Sequence, residues 1–287
     1  MRAILFMLIG FVCYATSDMV GKLLTQSMNP LQITWARQLG LFTGIVILLA
    51  LRGPQLLRSR HPVLQIGRGL TVVAAGASFM GALAYVPLAD ATVVTFVAPF
   101  IVMVLAAIFL GEKMGPKRWV AVLFGFAGTL IVIRPGMNNF HPAIFLALIS
   151  AAAFAIRQII SRHISGGDPL VTTVAYTTLT ATIVLTLPLP FIWQSPASIA
   201  PLLMMVAVAC LAGCAELSII HALDLGEAAV LSPLQYTLII WSTIWGFLVF
   251  GQVPDIWTLA GTAVIIASGI YSLYHETRKP GVEDTAG

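Results

Sequence analysis

Charge is scarce in this sequence: 15 Lys and Arg and 11 Asp and Glu are spread over 287 residues, of which 59% are apolar. With a mean hydropathy of +0.97, there are too few polar residues to coat a soluble helical protein. The basic residues are scattered through short segments, which excludes a nucleic-acid-binding surface. Cysteine is also rare. Cys13, Cys210 and Cys214 fall inside apolar runs, where a thiol packs as a small apolar group. Cys210 and Cys214 are four residues apart, yet no His or Asp completes a ligand set, so no metal site is expected. The sequence has no Gly-rich phosphate loop, no Walker Lys, no His-Glu-x-x-His and no Ser elbow. Its loops are too short for a soluble catalytic domain. Neither an enzyme, nor a bound cofactor, nor an ATP-driven motor is expected.

What the chain has instead is hydrophobic length. Apolar runs occupy 3–21, 32–51, 68–86, 91–110, 118–134, 142–160, 171–190, 200–221, 229–249 and 256–274. Each is long enough to cross a hydrocarbon layer of about 30 Å as a helix. Their continuous apolarity excludes a β-barrel, whose strands alternate. The first run has no small-residue cleavage site of the usual form and is followed by nine similar ones, so it is expected to stay in the mature protein.

The basic residues orient these runs. Arg2, Arg52, Arg58, Arg60, Arg68, Lys113, Lys117, Arg118, Arg162, Arg278 and Lys279 fall on one side, against Lys22 and Arg134 on the other. That asymmetry predicts an inner-membrane type protein with both termini in the cytoplasm.

The order of residues also repeats. Tyr14-Ala-Thr-Ser-Asp18 corresponds to Phe154-Ala-Ile-Arg-Gln158, Lys22 to Arg162, and Asn29-Pro30-Leu31 to Asp168-Pro169-Leu170. Further along, Pro87-Leu-Ala-Asp90-Ala91 corresponds to Asp224-Leu-Gly-Glu227-Ala228, Gly111-Glu112 to Gly251-Gln252, and Gly128 to Gly269. Five spans per copy is an odd number, so the copies cross the membrane in opposite senses. The fold expected is an all-α membrane protein of ten transmembrane helices in two inverted five-helix repeats, 1–135 and 141–275, followed by a cytoplasmic tail at 276–287. Inverted symmetry of this kind is how transporters alternate between outward-open and inward-open states.

Several segments carry a family resemblance over most of the chain, from Met1 to Glu276: Val86-Pro-Leu-Ala-Asp-Ala91, Ala98-Pro99-Phe100, Leu-Gly-Glu-Lys113, Ile-Val-Ile-Arg-Pro135, Leu225-Gly-Glu-Ala-Ala229 and Leu234-Gln-Tyr236. In order and spacing they resemble the drug/metabolite transporter superfamily and its EamA-type families. Gln252 stands where that family often has Glu. The resemblance is strongest to the branch containing riboflavin transporters and S-adenosylmethionine uptake proteins. It implies a secondary transporter of a small organic metabolite, with riboflavin import the first expectation and S-adenosylmethionine or amino-acid-like metabolites, moved in either direction, the alternative. A scaffold or sensor with sealed polar pairs is the competing class.

Polar residues inside the spans mark the expected pathway, since leaving them toward lipid is costly. Arg37 lies early in the second span, in either a substrate contact or a lasting pair with Asp18. Asp18 and Lys22 are i,i+4 and are expected to neutralise one another. Arg157 and Gln158 occupy the corresponding stretch of the sixth span. Glu216 is the deep carboxylate of the eighth, either a proton-coupling group or the partner of Arg157 or Arg37. Tyr14, Trp35, Tyr85, Tyr176, Gln235, Tyr236 and Trp241 supply ring faces and amide or hydroxyl groups suited to a planar heterocycle. Pro99 and Pro233 interrupt the fourth and ninth spans, which are expected to move or to face substrate. Glycines in the fifth and tenth spans suit a peripheral scaffold or a dimer contact, so the partners expected are a small metabolite, the bilayer, protons as coupling ion, and at most a second copy of the chain.

Overall fold

Prolines mark where the helices begin. Pro30, Pro62 and Pro116 each stand at the first helical position, where the missing N–H would have no partner in any case. At the first of these, the Asn29 side chain accepts a hydrogen bond from the Leu31 amide at 2.9 Å, completing the cap. A computed structural model describes residues 1–112, 114–135 and 141–277. Lys113, Arg278, Lys279 and most of the expected tail lie outside the described residues.

Helices α1 (Arg2–Leu24), α2 (Pro30–Arg52), α3 (Pro62–Leu83), α4 (Leu88–Thr95), α5 (Ala98–Phe109) and α6 (Pro116–Ile133) form the first half. Helices α7 (Ile144–His163), α8 (Leu170–Thr186), α9 (Leu189–Ile192), α10 (Ile199–Leu225), α11 (Ala228–Leu231), α12 (Thr237–Phe250) and α13 (Ile256–Thr277) form the second. Among the described residues, nine helical stretches are long and apolar enough to span a membrane, and α8 is a shorter apolar tenth.

The neighbours of each helix display the inverted repeat. Helix α1 packs on α10, and its counterpart α7 packs on α3; α2 meets α10 as α8 meets α3; α1 meets α12 as α7 meets α5. Three further pairs join equivalent helices of the two halves: α2 with α8, α4 with α12, and α6 with α13. A pseudo-twofold axis runs through those pairs, as two oppositely inserted repeats require.

Both expected interruptions are present. The fourth span breaks between α4 and α5 at Phe96 and Val97, and the ninth is a 3-10 turn, Ser232–Tyr236, leading into α12. The breaks meet across the axis: the Phe96 and Tyr236 rings stack at 5.3 Å, and Thr92 Oγ1 donates to Ser242 Oγ at 3.1 Å. Each broken helix also seats an aromatic ring on a glycine of the last helix in its own half. Phe100 lies against Gly125, and Tyr236 lies against Gly269. In the same two helices Gly128 and Gly261 face one another, each close to the other's carbonyl and to a side chain of the facing helix, Ile265 for Gly128 and Val132 for Gly261. These glycines therefore build a scaffold contact within the chain.

The face that carries Met1 is closed between the halves by a polar latch. Asp168, just ahead of α8, accepts from Ser59 Oγ at 2.5 Å, from the Arg60 amide at 2.8 Å and from Gln65 Nε2 at 2.9 Å. The Ser59, Gln65 and Arg60 donors together hold its carboxyl below the usual carboxylate range. A depressed value means that the latch is fully present above about pH 4, the ordinary Asp value, and fails only as pH falls through the lower folded value. Any transport pH-dependence between about pH 5 and 8 must then arise elsewhere. Replacing Asp168 with Ala should speed amide exchange at Arg60 by roughly 2- to 10-fold at neutral pH. Unchanged exchange there would show that the latch does not hold this face together.

The opposite face is held by reciprocal bonds between the Gln32 side chain and the Gln194 backbone, at 3.0 and 2.9 Å. An Arg134–Asp255 ion pair at 2.5 Å adds to them. Gln252, the departure from the family's Glu, accepts from the Leu88 amide at 3.2 Å and so caps the start of α4.

Candidate functional site

A chain of ionisable groups crosses the interface between the halves near mid-depth. Tyr14, midway along α1, donates its hydroxyl to Glu216 of α10. Above the Tyr14 ring, at 5.3 Å from its centroid, lies the Arg37 guanidinium of α2. That guanidinium in turn donates to Asp18, one turn further along α1 from Tyr14, at 2.5 Å. Asp18 is 4% exposed, so its charge is tolerable only because it is paired. The expected Asp18–Lys22 pair does not form. Lys22 turns away and donates to the carbonyls of Leu83 and Val86, at 2.7 and 2.5 Å, where the end of α3 leaves carbonyls without helical partners. Nor does Glu216 form an ion pair with Arg157 or Arg37; its partner is the Tyr14 phenol.

Close packing sets this arrangement. A Cβ on Gly40 of α2 would come within 2.1 Å of the Ala209 carbonyl oxygen, and Gly213 backs onto the Gly40 backbone. Gly40 is three residues from Arg37, and Gly213 is three from Glu216. The Gly40–Gly213 contact of α2 and α10 thus lies about one turn from both charged side chains. Gly10 of α1, pressed against Ile219 and the Ala215 carbonyl, brings α1 close to α10 as well.

On the Met1 side of this chain lie two more guanidinium groups. Arg68 of α3 donates to Ser161 Oγ of α7 at 2.7 Å and to Thr177 Oγ1 of α8, with the Thr173 carbonyl at 3.4 Å. It lies within the electrostatic reach of Arg157 and Glu216. Arg157 of α7 stacks over the Phe154 ring at 4.6 Å and also acts on Tyr14. Sequence reading places Arg68 among the topology-marking charges, and the structure corrects that: the helix begins at Pro62, so Arg68 is two turns inside the span. The signal that could have found it is Pro62 itself, a start residue six positions earlier than the apolar run suggests.

The other candidates disperse. Gln158 is half-buried beside Arg157. Trp35 donates to Thr186 Oγ1 at 2.9 Å and meets Trp193 edge-on, at the end of the bundle away from Met1. Tyr85 lies between α3 and α4, is 66% exposed and stacks on His141; it is a surface ring rather than part of the central chain. Tyr176 donates to the Leu57 carbonyl at 3.0 Å near the latch. Tyr236 is consumed by the stack on Phe96. Gln235 and Trp241 are half-buried on the ninth span, and Trp245, one turn from Trp241, has a buried indole N–H with no hydrogen-bond partner among the described residues. The central ring surfaces actually joined to charge are Tyr14 and Phe154, which occupy the same position of the two repeats.

The arrangement is one that binds rather than reacts. Three guanidinium groups and two carboxylates face one interface, with hydroxyl groups between them. Comparison with known proteins agrees in kind. The EamA-like transporter family matches this chain twice, over residues 1–134 and 141–274. An S-adenosylmethionine uptake transporter of Rickettsia conorii is 26% identical over 274 residues, covering 94% of this chain and 92% of that one. A riboflavin transporter of Vibrio cholerae is 30% identical over 203 residues, 70% of this chain and 68% of that one. The pseudopaline exporter CntI of Pseudomonas aeruginosa is 27% identical over 235 residues, 79% and 80% of the two.

Proposed function

Since this chain belongs to the EamA-like transporter family, we propose that it carries a small charged organic metabolite across a bacterial inner membrane by alternating access. The solute binds between the halves beside Tyr14, Arg37, Arg157 and Glu216. The observation that carries this reading is the Tyr14–Glu216 contact across the α1–α10 interface, flanked by the Arg37–Asp18 pair. Charges of both signs at mid-depth suit a zwitterion, because each desolvated side chain needs a counter-charge while the solute is inside.

S-adenosylmethionine fits that requirement and is our first choice; the likeness to the Rickettsia protein over nearly the whole chain supports it. Riboflavin, the first expectation from sequence, becomes the second. The Vibrio relative supports it, but the ring surfaces expected to stack on a flavin are spread from one face of the bundle to the other. Cytoplasmic termini are supported by the positive-charge asymmetry, and import by the likeness to the Rickettsia uptake transporter. Coupling to protons falls to Glu216 rather than Asp18, because Asp18 is committed to Arg37 whereas Glu216 is held by a neutral phenol.

Counterflow in proteoliposomes tests the reading without presuming direction or driving force. Vesicles loaded with unlabelled S-adenosylmethionine should accumulate external radiolabelled S-adenosylmethionine saturably, and Tyr14→Phe should slow this by about 10-fold through loss of a hydrogen bond to a charged group. Saturable riboflavin exchange without S-adenosylmethionine exchange would reverse the order of substrates. Exchange of neither by correctly inserted protein would sink the reading.

A further inference from the structure

The two repeats treat the same feature differently. At the same repeat position stand Tyr14 in α1 and Phe154 in α7, and over each ring lies a guanidinium: Arg37 at 5.3 Å and Arg157 at 4.6 Å. In the first half the guanidinium is neutralised by Asp18. In the second, the residue corresponding to Asp18 is Gln158, and among the described residues Arg157 has no carboxylate within ion-pair distance.

Arg157 is also not alone. Arg68 stands within its field, and two like charges in a medium of low dielectric repel each other unless anions balance them. Glu216 supplies one negative charge near the pair and is engaged by Tyr14. One positive charge is left over. Arg68 places its Nε and Nη1 on Ser161, Thr177 and the Thr173 carbonyl, whereas Arg157 rests on a ring face and, among the described residues, its N–H fork makes no hydrogen bond. A planar fork of that kind matches a carboxylate through two parallel hydrogen bonds.

We propose that Arg157 is the anchor for a carboxylate of the transported solute, which takes the place in the second repeat that Asp18 fills in the first. The inference rests on the transporter reading above and narrows its substrate to carboxylate-bearing metabolites. Arg68 is a positioning residue: through Ser161, whose hydroxyl donates to the Arg157 carbonyl at 2.8 Å, it ties α3 to the turn of α7 that carries Arg157. The asymmetry also gives transport a polarity that a symmetric site lacks. When the solute leaves, Arg157 is left without a counter-ion, while Arg37 remains sealed by Asp18.

The test uses full-length protein in proteoliposomes and three probes: S-adenosylmethionine, its decarboxylated analogue and riboflavin. Wild type should exchange S-adenosylmethionine with an apparent affinity about 10- to 100-fold better than the decarboxylated compound, the range expected for a hydrogen-bonded charge pair. Arg157→Gln should erase that difference, bringing the two probes together, and Arg157→Lys should restore part of it by keeping charge without the fork. Equal handling of the two probes by wild type would overturn the inference, and a lipid phosphate seated on Arg157 would give that result. Discrimination that survives in Arg157→Gln would overturn it too, as would riboflavin exchange unaffected by the substitution; either leaves the transporter reading standing. Failure of wild type to exchange any of the three would instead remove the transporter reading and this inference with it.

Discussion

Asp18→Asn is expected to abolish exchange and to destabilise the protein by about 3–5 kcal/mol, the usual cost of removing one partner from a buried ion pair. Its carboxylate is buried and the Arg37 side chain is only 19% exposed, so neither water nor headgroups can take over. The amide would leave Arg37 charged over the Tyr14 ring with Glu216 as the next anion, one phenol away. Arg37 would then draw on Glu216 and compete with Tyr14 for it. The double substitution Asp18→Asn with Arg37→Gln removes both charges together, and stability should return to within about 1 kcal/mol of wild type. Exchange should not return, because the charge beside the solute is gone. Thermal unfolding in detergent checks the first half of this, with a midpoint loss on the order of 10 °C for the single variant, and counterflow checks the second. A single variant as stable as wild type would mean that Arg37 already has another anion.

The number of spans and their inverted pairing were legible because they depend on length and parity. A run of apolar residues fixes a helix, and five crossings per copy fix its opposite sense, whatever the side chains touch. The charged members of the site were legible for a related reason: Arg37, Arg157, Glu216 and Asp18 stand out wherever lipid makes charge costly. Their partners were not. Lys22 is the natural mate of Asp18 on an isolated helix, but an i,i+4 pair contributes only a few tenths of a kcal/mol. A buried guanidinium on a neighbouring helix, and orphan carbonyls at the end of α3, each offer more. Arg68 was hidden by a boundary, since hydropathy dates the third span from its first apolar residues and the helix starts at Pro62. The aromatic rings were the least legible. Tyr85, Trp35, Tyr176 and Tyr236 share a composition with pocket rings, and only the rotation of each helix decides that one faces His141 and another Phe96.

Gly40 is where packing and charge meet, and a single methyl group there should be felt in both. The Cβ of Gly40→Ala would sit 2.1 Å from the Ala209 carbonyl oxygen and 2.9 Å from its carbon. Those are backbone atoms of α10, so no side chain can swing aside, and the two helices must separate. Overpacking of this kind costs about 1–3 kcal/mol, and Gly40→Leu should exceed it and prevent recovery of folded protein. The functional loss should be larger than the loss of stability suggests. Separation at Gly40 and Ala209 carries Arg37, about one turn from that contact, away from Glu216, about two turns from it, and Tyr14 can no longer serve both. Gly213→Ala is a graded comparison, because its nearest neighbours across the interface are at 3.5 Å and ordinary contact suffices. Gly44→Ala, one further turn along the same helix, meets nothing within 4 Å and should behave as wild type. Exchange by Gly40→Ala at more than half the wild-type rate, at equal reconstitution, would show that the α2–α10 spacing is not what positions the charges. Exchange that falls in the order Gly44→Ala, Gly213→Ala, Gly40→Ala would tie the rate to that spacing.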